Sequence, residues 1–268
     1  MTQNMHQHDT SLPSLRGGES RLGGAGEGLA LWDGIPGEGL LLVKVCGMRS
    51  PDNIRAVASL PIDMMGFIFY PRSKRYVGMS PSHTGLLPDR ADEALSGAVG
   101  QGRHIYKVGV FVDAMPQDII THVVSFGLDA VQLHGSETPT LIRNLRQTIV
   151  PDLRQRLAVI KAISIGSAAD FDKCAQYEGV ADMFVFDTKC AGHGGSGEQY
   201  DWSLLDAYKG HTPFLLSGGI GECDVERIKA IDHPMFAGVD LNSRFETAPG
   251  VKDAEALGRF IEQLRRQE

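Results

Sequence analysis

Residues 213–243 read PFLLSGGIGECDVERIKAIDHPMFAGVDLNS, and this stretch decides the fold. An apolar run at 214–216 ends in Ser-Gly-Gly at 217–219, a helical segment follows, and a second apolar run leads to Asp-Leu-Asn-Ser at 240–243. Glycine lets the backbone approach an anion, and amide groups at the start of a short helix can donate to it. In a (β/α)8 barrel a phosphate pocket of this kind follows strands seven and eight. An ordinary strand–turn–helix unit would give the same local pattern.

The bulk composition fits a single α/β barrel or two small domains. The chain has 268 residues, of which 42% are hydrophobic, so it can bury a large core. Its formal net charge of -7 argues against nucleic acid as a partner. A chain of this charge that binds an anionic substrate must concentrate its positive charge locally.

The cysteines and the apolar runs bear on the cellular setting. Cys46, Cys174, Cys190 and Cys223 are widely spaced and form no CxxC pair, which argues against a disulfide framework or a zinc site. Reduced thiols are typical of the cytosol, so we expect a cytoplasmic protein. The sequence has neither a signal-peptide pattern nor an apolar run of membrane-spanning length, and we expect no membrane partner.

The first 39 residues differ from the rest of the chain. They are rich in Gly, Ser and Gln and have no helical or strand period, so ordering them would be costly in conformational entropy. We therefore interpret 1–39 as a disordered N-terminal extension and 40–268 as the folded domain.

From residue 40 onward, β-rich runs alternate with helical patterns. This alternation predicts a parallel sheet, and the count of eight strands favours closure into a single (β/α)8 TIM barrel. The polar stretch 80–105 is longer than a typical crossover, so it is interpreted as a surface insertion with a helical part at 80–99. The predicted strands are 42–46, 63–69, 106–111, 129–133, 157–163, 182–186, 213–216 and 236–240. The predicted helices are 51–60, 116–126, 137–149, 168–177, 201–208, 222–231 and 253–267.

Reactive groups of such barrels stand at the C-terminal ends of the strands. Cys46 ends the first predicted strand, and Lys44 lies two residues earlier on the same face, where its ammonium would favour a thiolate. Asp187 ends the sixth. Taken singly, Cys46 could be a small buried hydrophobe and Asp187 a cap for the next segment. Their joint placement opposite a phosphate pocket favours catalysis.

Several segments together resemble phosphoribosylanthranilate isomerases, a family of tryptophan biosynthesis. Single pieces such as the Gly-Gly turn occur in many phosphate-binding barrels, but the cysteine-glycine start, QLHG and GVDxNS together are specific. The similarity runs in order from about residue 42 to the end of the chain. The segments are VKVCGMRSPDNIRAV (43–57), GFIFYPRSKRYV (66–77), VGVFVDA (108–114), AVQLHGSE (130–137), FDTKCAGHGGSGEQYDW (186–202), LLSGGI (215–220) and GVDLNSRFETAPGVKD (238–253).

The resemblance implies an Amadori rearrangement of N-(5'-phosphoribosyl)anthranilate to the 1-deoxyribulose 5-phosphate derivative, without metal or cofactor. Matched by motif, Cys46 is the general base and Asp187 the general acid. Arg75 contacts the anthranilate part, since a guanidinium fork pairs well with a carboxylate; alternatively it is a solvated loop charge. His134 either lines the pocket or caps the end of its strand.

The resemblance also assigns a phosphate site. Gly218, Gly219, Asn242 and Ser243 would hold the phosphate, largely through backbone amides. Asp240 belongs to this site and is expected to organise the loop more than to touch the anion.

Other positions near the site leave details open. The glycine-rich stretch 192–197 is either a mobile lid or a plain flexible loop. The chain departs from the family pattern at Arg244-Phe245, where glycine and a small aliphatic residue are usual, at Glu198, where lysine is common, and at Ser217, where alanine is usual.

Two other classes of protein compete with this interpretation. The ProFAR isomerase of histidine synthesis would use paired aspartates, and indole-glycerol-phosphate synthase would need a lysine acid, for which Lys44 and Lys161 are the candidates on strands. A barrel that only binds a phosphorylated ligand is the third possibility. We expect a phosphorylated small molecule as substrate and a monomer or homodimer as the assembly.

Overall fold

The computed structural model describes residues 40–78, 104–149, 153, 156–188 and 199–266. The predicted extension 1–39 and the predicted helical part at 80–99 lie outside the described residues, as does the glycine-rich stretch 192–197. Among the residues that the structure describes, no helix is long and apolar enough to cross a membrane.

Eight parallel strands form a closed barrel in sequential order, with β1 paired to both β2 and β8. This confirms the predicted (β/α)8 fold, and each predicted strand overlaps an observed one. The strands are β1 (Leu42–Val45), β2 (Met64–Ile68), β3 (Tyr106–Phe111), β4 (Ala130–Leu133), β5 (Ala158–Ile165), β6 (Met183–Thr188), β7 (Phe214–Leu216) and β8 (Phe236–Leu241).

Side-chain alternation along the strands divides the core into two layers. Met64 and Ile160 point into the barrel, whereas Met65 and Val159 point outward against the helices. All four are fully buried. Because both faces of the parallel strands are covered, the strands are apolar throughout, and a polar residue on the inner face is exceptional.

Helical segments follow the strands and include the predicted ones. Pro51 and Pro116 each begin a helix, where the missing proline N–H needs no partner. Three segments predicted as α-helical are wholly or partly 3-10 helices. The α-helices are α1 (Pro51–Ala58), α2 (Pro116–Phe126), α3 (Pro139–Ile149), α4 (Val225–Lys229) and α5 (Ala254–Arg265); the 3-10 helices are Ala168–Tyr177, Trp202–Ala207, Glu222–Asp224 and Ser243–Phe245.

A short antiparallel hairpin after β8 was not predicted. Its strands are β9 (Glu246–Ala248) and β10 (Val251–Lys252), joined by Pro249-Gly250. The hairpin lies between the last barrel strand and α5, so its side chains can reach the C-terminal mouth of the barrel.

The N-terminal end of the barrel carries three aspartates, each placed one residue before an even-numbered strand. The backbone N–H of each donates to a carbonyl of the preceding strand, and its carboxylate accepts the N–H of that same residue. These reciprocal bonds fasten the strands in pairs. The pairs are Asp63–Val43, Asp129–Lys107 and Asp182–Val159, with distances between 2.7 and 2.9 Å.

We predict that Asp63→Ala destabilises the barrel by about 2–3 kcal/mol. The substitution leaves the buried N–H of Val43 without its acceptor and also removes the carboxylate that binds Arg265 Nη2 at 2.8 Å. Urea unfolding of the two proteins measures the difference. The matched control is Asp52→Ala, which breaks an exposed pair with Arg55 and should change stability by less than about 1 kcal/mol. Equal losses of stability in the two variants would contradict a stabilising role for the reciprocal Asp63–Val43 hydrogen bonds.

Candidate active site

Cys46 is the first residue after β1 and lies at the C-terminal mouth of the barrel. It is only 4% exposed, and its backbone N–H donates to the carbonyl of Leu241 at 2.9 Å. The neighbouring strand β2 makes room for the sulfur with Gly66, since a Cβ at that position would lie 2.7 Å from Cys46 Sγ. The thiol is therefore held on the barrel wall by the packing of β1, β2 and β8.

Lys44 lies on the same inner face, as predicted, but it is already paired. Its ammonium donates to Asp240 Oδ2 on β8 at 2.8 Å, and both side chains are buried in the barrel. Asp240 thus differs from the expectation that it organises the phosphate loop, because its carboxylate lies inside the barrel on the ion pair.

Burial raises the pKa of the Cys46 thiol. Lys44 and Lys252 act to lower this pKa and Asp240 to raise it, but loss of solvation of the thiolate is the largest effect. Lys44 therefore acts to lower the pKa of Cys46, as predicted, but the opposite effect of burial is larger.

Asp187 lies near the end of β6 and faces His134 from β4. Its Oδ2 is 3.3 Å from His134 Nε2, and its Oδ1 accepts the backbone N–H of Thr188 at 3.0 Å. His134 therefore belongs to the site, because its ring contacts the candidate acid. Asp187 and His134 both influence the pKa of Asp240, which burial raises. Asp240 is therefore coupled electrostatically to both Cys46 and Asp187.

Arg75 reaches the mouth from the loop after β2 and is largely buried. Its Nε and Nη2 bind the two carboxylate oxygens of Glu246 on β9 at 2.7 and 2.6 Å. Glu246 Oε1 also accepts from Lys252 Nζ at 2.7 Å, and the same ammonium donates to Asn242 Oδ1 at 2.7 Å. Arg75 is therefore held in a buried ion pair with Glu246 at the mouth and is not a solvated loop charge.

The residues predicted to hold the phosphate lie on the loops after β7 and β8. Gly218 and Gly219 have φ angles of 92° and 64°, in the left-handed region that glycine adopts without strain. A Cβ on Gly218 would lie 2.1 Å from Thr188 Oγ1, so the turn packs directly on the end of β6. Asn242 and Ser243 follow β8, where Ser243 begins a short 3-10 helix.

The departures from the family pattern are partly visible. Phe245 is buried and packs on Phe260 of α5 with ring centroids 5.1 Å apart, so it serves the core. Arg244 is exposed beside it. Ser217 is buried and donates its N–H to the carbonyl of Phe186 at 2.9 Å. Glu198 lies outside the described residues.

The family model for N-(5'-phosphoribosyl)anthranilate (PRA) isomerase matches residues 43–263. The chain belongs to this family.

Individual isomerases agree with that assignment. An N-(5'-phosphoribosyl)anthranilate isomerase of Parabacteroides distasonis is 46% identical over 224 residues, covering 84% of this chain and 93% of the relative. The crystal structure of the Thermotoga maritima isomerase superposes with a TM-score of 0.66 at 31% identity, covering 84% of this chain and 99% of that one. An isomerase crystallised with reduced 1-(o-carboxyphenylamino)-1-deoxyribulose 5-phosphate gives a TM-score of 0.63 at 29% identity, with coverages of 84% and 99%.

Sequence reasoning missed several residues of this isomerase site. Glu246 and Lys252 lie on the unpredicted hairpin, for which the Pro249-Gly250 turn was an available signal. Gln132 was read only as part of the QLHG segment. Gly66 carried no local signal, because its role depends on which strand lies beside Cys46.

We predict that the Cys46 thiol of this isomerase titrates above its ordinary value of 9.0, because burial disfavours the thiolate. The measurement is ultraviolet thiolate absorbance against pH, taken as the difference between the wild type and Cys46→Ala. In Lys252→Met the midpoint should move further upward, since a nearby cation is lost. A thiolate already formed at neutral pH would contradict this.

We predict that the ion pairs of Glu246 with Arg75 and Lys252 stabilise the fold less as the pH falls. Burial alone would raise its pKa, but the hydrogen bonds and charges of Arg75 and Lys252 outweigh it and hold the pKa below the ordinary 4.5. A carboxylate with a lowered folded-state pKa stabilises the fold above its unfolded value, and this contribution is lost as pH falls through the folded one. Urea unfolding across that window should show the loss in the wild type and its absence in Glu246→Gln. Parallel curves for both proteins would contradict it.

Proposed function

We propose that Cys46 and Asp187 are the base and acid with which this family member converts N-(5'-phosphoribosyl)anthranilate to 1-(2-carboxyphenylamino)-1-deoxyribulose 5-phosphate, an aldose–ketose isomerisation of tryptophan biosynthesis. One observation carries the assignment. Cys46 directly follows β1, and Asp187 is the last residue but one of β6 on the face that Val185 turns into the barrel, so thiol and carboxyl stand at the same end of the barrel. They stand on β1 and β6, which are not adjacent in the barrel.

The first step requires an acid. Asp187 gives its proton to the furanose ring oxygen, the bond between that oxygen and C1 breaks, and the nitrogen lone pair forms a Schiff base with C1. The carboxylate left on Asp187 is stabilised by the N–H of Thr188 and by the His134 ring. Proton donation and charge stabilisation therefore come from one side of the mouth.

The second step requires a base. Cys46, as its thiolate, takes the proton from C2, and the electrons of that C–H bond form the enolamine while the Schiff-base nitrogen becomes neutral. The enolamine then becomes the ketone. Lys44 and Lys252 favour the thiolate that this step needs. The reaction therefore requires the thiolate, which the two ammonium groups favour and burial disfavours.

Binding energy comes from the two ends of the substrate. Backbone amides of Gly218, Gly219, Asn242 and Ser243 would hold the phosphate, and this assignment is supported by the left-handed Gly-Gly turn. Arg75 would bind the anthranilate carboxylate with the N–H groups that Glu246 leaves unused. Fixing both ends holds the sugar between Cys46 and Asp187.

The geometry disfavours the sister enzymes. Lys161 points outward from β5, where its ammonium binds the carbonyls of Leu133 and Gly135, so it cannot serve as the lysine acid of a synthase. Lys44 is occupied by Asp240. A ProFAR isomerase would need an aspartate where Cys46 stands. A barrel that only binds its ligand gives no reason for the acid and base at the mouth.

The setting of the enzyme stays a prediction. The cysteine pattern supports a cytoplasmic protein. A monomer or a homodimer fits the chain, and the Thermotoga maritima isomerase is described as dimeric. The proposed partner is the phosphorylated small-molecule substrate, with neither nucleic acid nor membrane.

Cys46→Ala and Asp187→Asn should each lower kcat/KM by about 10²–10⁴, because each removes one proton-transfer group. The assay follows the loss of anthranilate fluorescence as substrate is consumed. The matched controls are Cys223→Ala and Asp206→Asn, which change an exposed thiol and an exposed carboxylate that have no role in the proposed mechanism. Wild-type rates in either site variant would end the proposed assignment.

A further inference from the structure

A buried amide inside the barrel contacts the ring that faces the candidate acid. Gln132 of β4 is 1% exposed, and its Nε2 lies 3.0 Å from Nδ1 of His134. His134 Nε2 in turn lies 3.3 Å from Asp187 Oδ2. Gln132 is therefore hydrogen-bonded to His134, and the far side of the ring lies next to the acid of the proposed mechanism.

The direction of the hydrogen bond between Gln132 and His134 follows from donor and acceptor chemistry. An amide nitrogen can only donate, so His134 Nδ1 must accept and must carry no proton. In the neutral ring the proton then stands on Nε2, the nitrogen that lies 3.3 Å from Asp187 Oδ2. The contact with Gln132 therefore selects this tautomer over the one protonated on Nδ1.

Gln132 lowers the stability of the fold at this position. Its Oε1 is buried without a hydrogen-bond partner in the described part of the chain, and its strand neighbours in register are Val110 and Ile160. A buried amide with an unsatisfied oxygen destabilises a fold, and an apolar side chain of similar size would not. Stability therefore does not explain this glutamine.

We propose that Gln132 is a positioning residue for the acid step, whose N–H on Nδ1 fixes the tautomer of His134 and so places the Nε2–H on the side of Asp187. The inference rests on the proposed role of Asp187. In this tautomer the ring can stabilise the carboxylate that forms when Asp187 gives up its proton. In the other tautomer Nε2 carries a lone pair, which would repel that carboxylate.

The first test uses Gln132→Met in the full-length protein. Nitrogen-15 NMR of labelled protein reports His134 directly, and the signal is assigned by its absence in His134→Asn. For the neutral ring we expect a bare Nδ1 and a protonated Nε2 in the wild type, and a mixture of both tautomers in Gln132→Met. Urea unfolding should show equal or greater stability, since the unpartnered oxygen is gone. A protonated Nδ1 in the neutral wild-type ring would overturn the proposal, and so would an unchanged tautomer in the variant.

The second test is kinetic and separates positioning from packing. Gln132→Met should lower kcat by about tenfold to a hundredfold, part of the about 10²–10⁴ that a general acid contributes, with a smaller change in KM. In an Asp187→Asn background it should have no further effect, because its partner in the mechanism is already removed. The same factor in both backgrounds would mean that Gln132 does not act through Asp187. Ile160→Met, at the neighbouring position on β5, is the matched control and should leave the His134 spectrum unchanged.

The acid role of Asp187 and the positioning role of Gln132 can be disproved separately. If Asp187→Asn retains full activity, the acid assignment is wrong, and the positioning role falls with it. If Asp187→Asn is inactive while Gln132→Met leaves the His134 spectrum and kcat unchanged, only the positioning role is wrong.

Discussion

The buried ion pair between Lys44 and Asp240 sets the electrostatics on which the rest of the site depends. It joins β1 to β8, the strands whose pairing closes the barrel, and it lies beneath Cys46. Removing two charges from water is repaid only in part by their attraction, so such a pair is a poor source of stability. Its value lies in the fixed charges that it places next to the reacting groups. Asp240 acts on the pKa of Cys46, and Asp187 acts on the pKa of Asp240, so the ion pair is electrostatically coupled to both the candidate base and the candidate acid.

The two sides of the mouth meet different chemical demands. On the β1 side a thiolate must form, and two ammonium groups, those of Lys44 and Lys252, act to lower the pKa of Cys46 against the effect of burial. On the β6 side a carboxyl group must hold a proton until the substrate takes it. On that side Asp187 accepts the uncharged N–H of Thr188, and the inferred Nε2–H of His134 adds a second donor. Among the described residues, the ammonium groups of Lys44 and Lys252 thus act on Cys46, whereas a backbone amide donates to Asp187.

The fold could be predicted from sequence because alternating β-rich and helical runs report local structure. The strand-end rule then found Cys46 and Asp187 without coordinates. It failed for residues whose roles depend on contacts between distant segments. Glu246 binds Arg75 across 171 positions of sequence, and no local pattern marks that contact. Gln132 looked like one polar residue in a matching segment, and only its inward direction shows that it touches His134. Three predicted strands begin with aspartate. This repeated signal could have predicted the reciprocal hydrogen bonds at the N-terminal end of the barrel.

The same residue type serves opposite purposes at the two ends of the barrel. At the N-terminal end the aspartates exchange reciprocal bonds with the neighbouring strand, and their carboxylates accept backbone N–H groups. The buried oxygens that lack a partner within the described residues are Gln132 Oε1, Asp240 Oδ1 and the Tyr200 hydroxyl, all toward the C-terminal mouth. Unpaired polar atoms destabilise a fold, so they persist where a ligand or a proton transfer uses them. The Nε atoms of Arg146 and Arg265, which bind aspartates at the N-terminal end, also lack a partner among the described residues, so only the oxygens separate the two ends of the barrel.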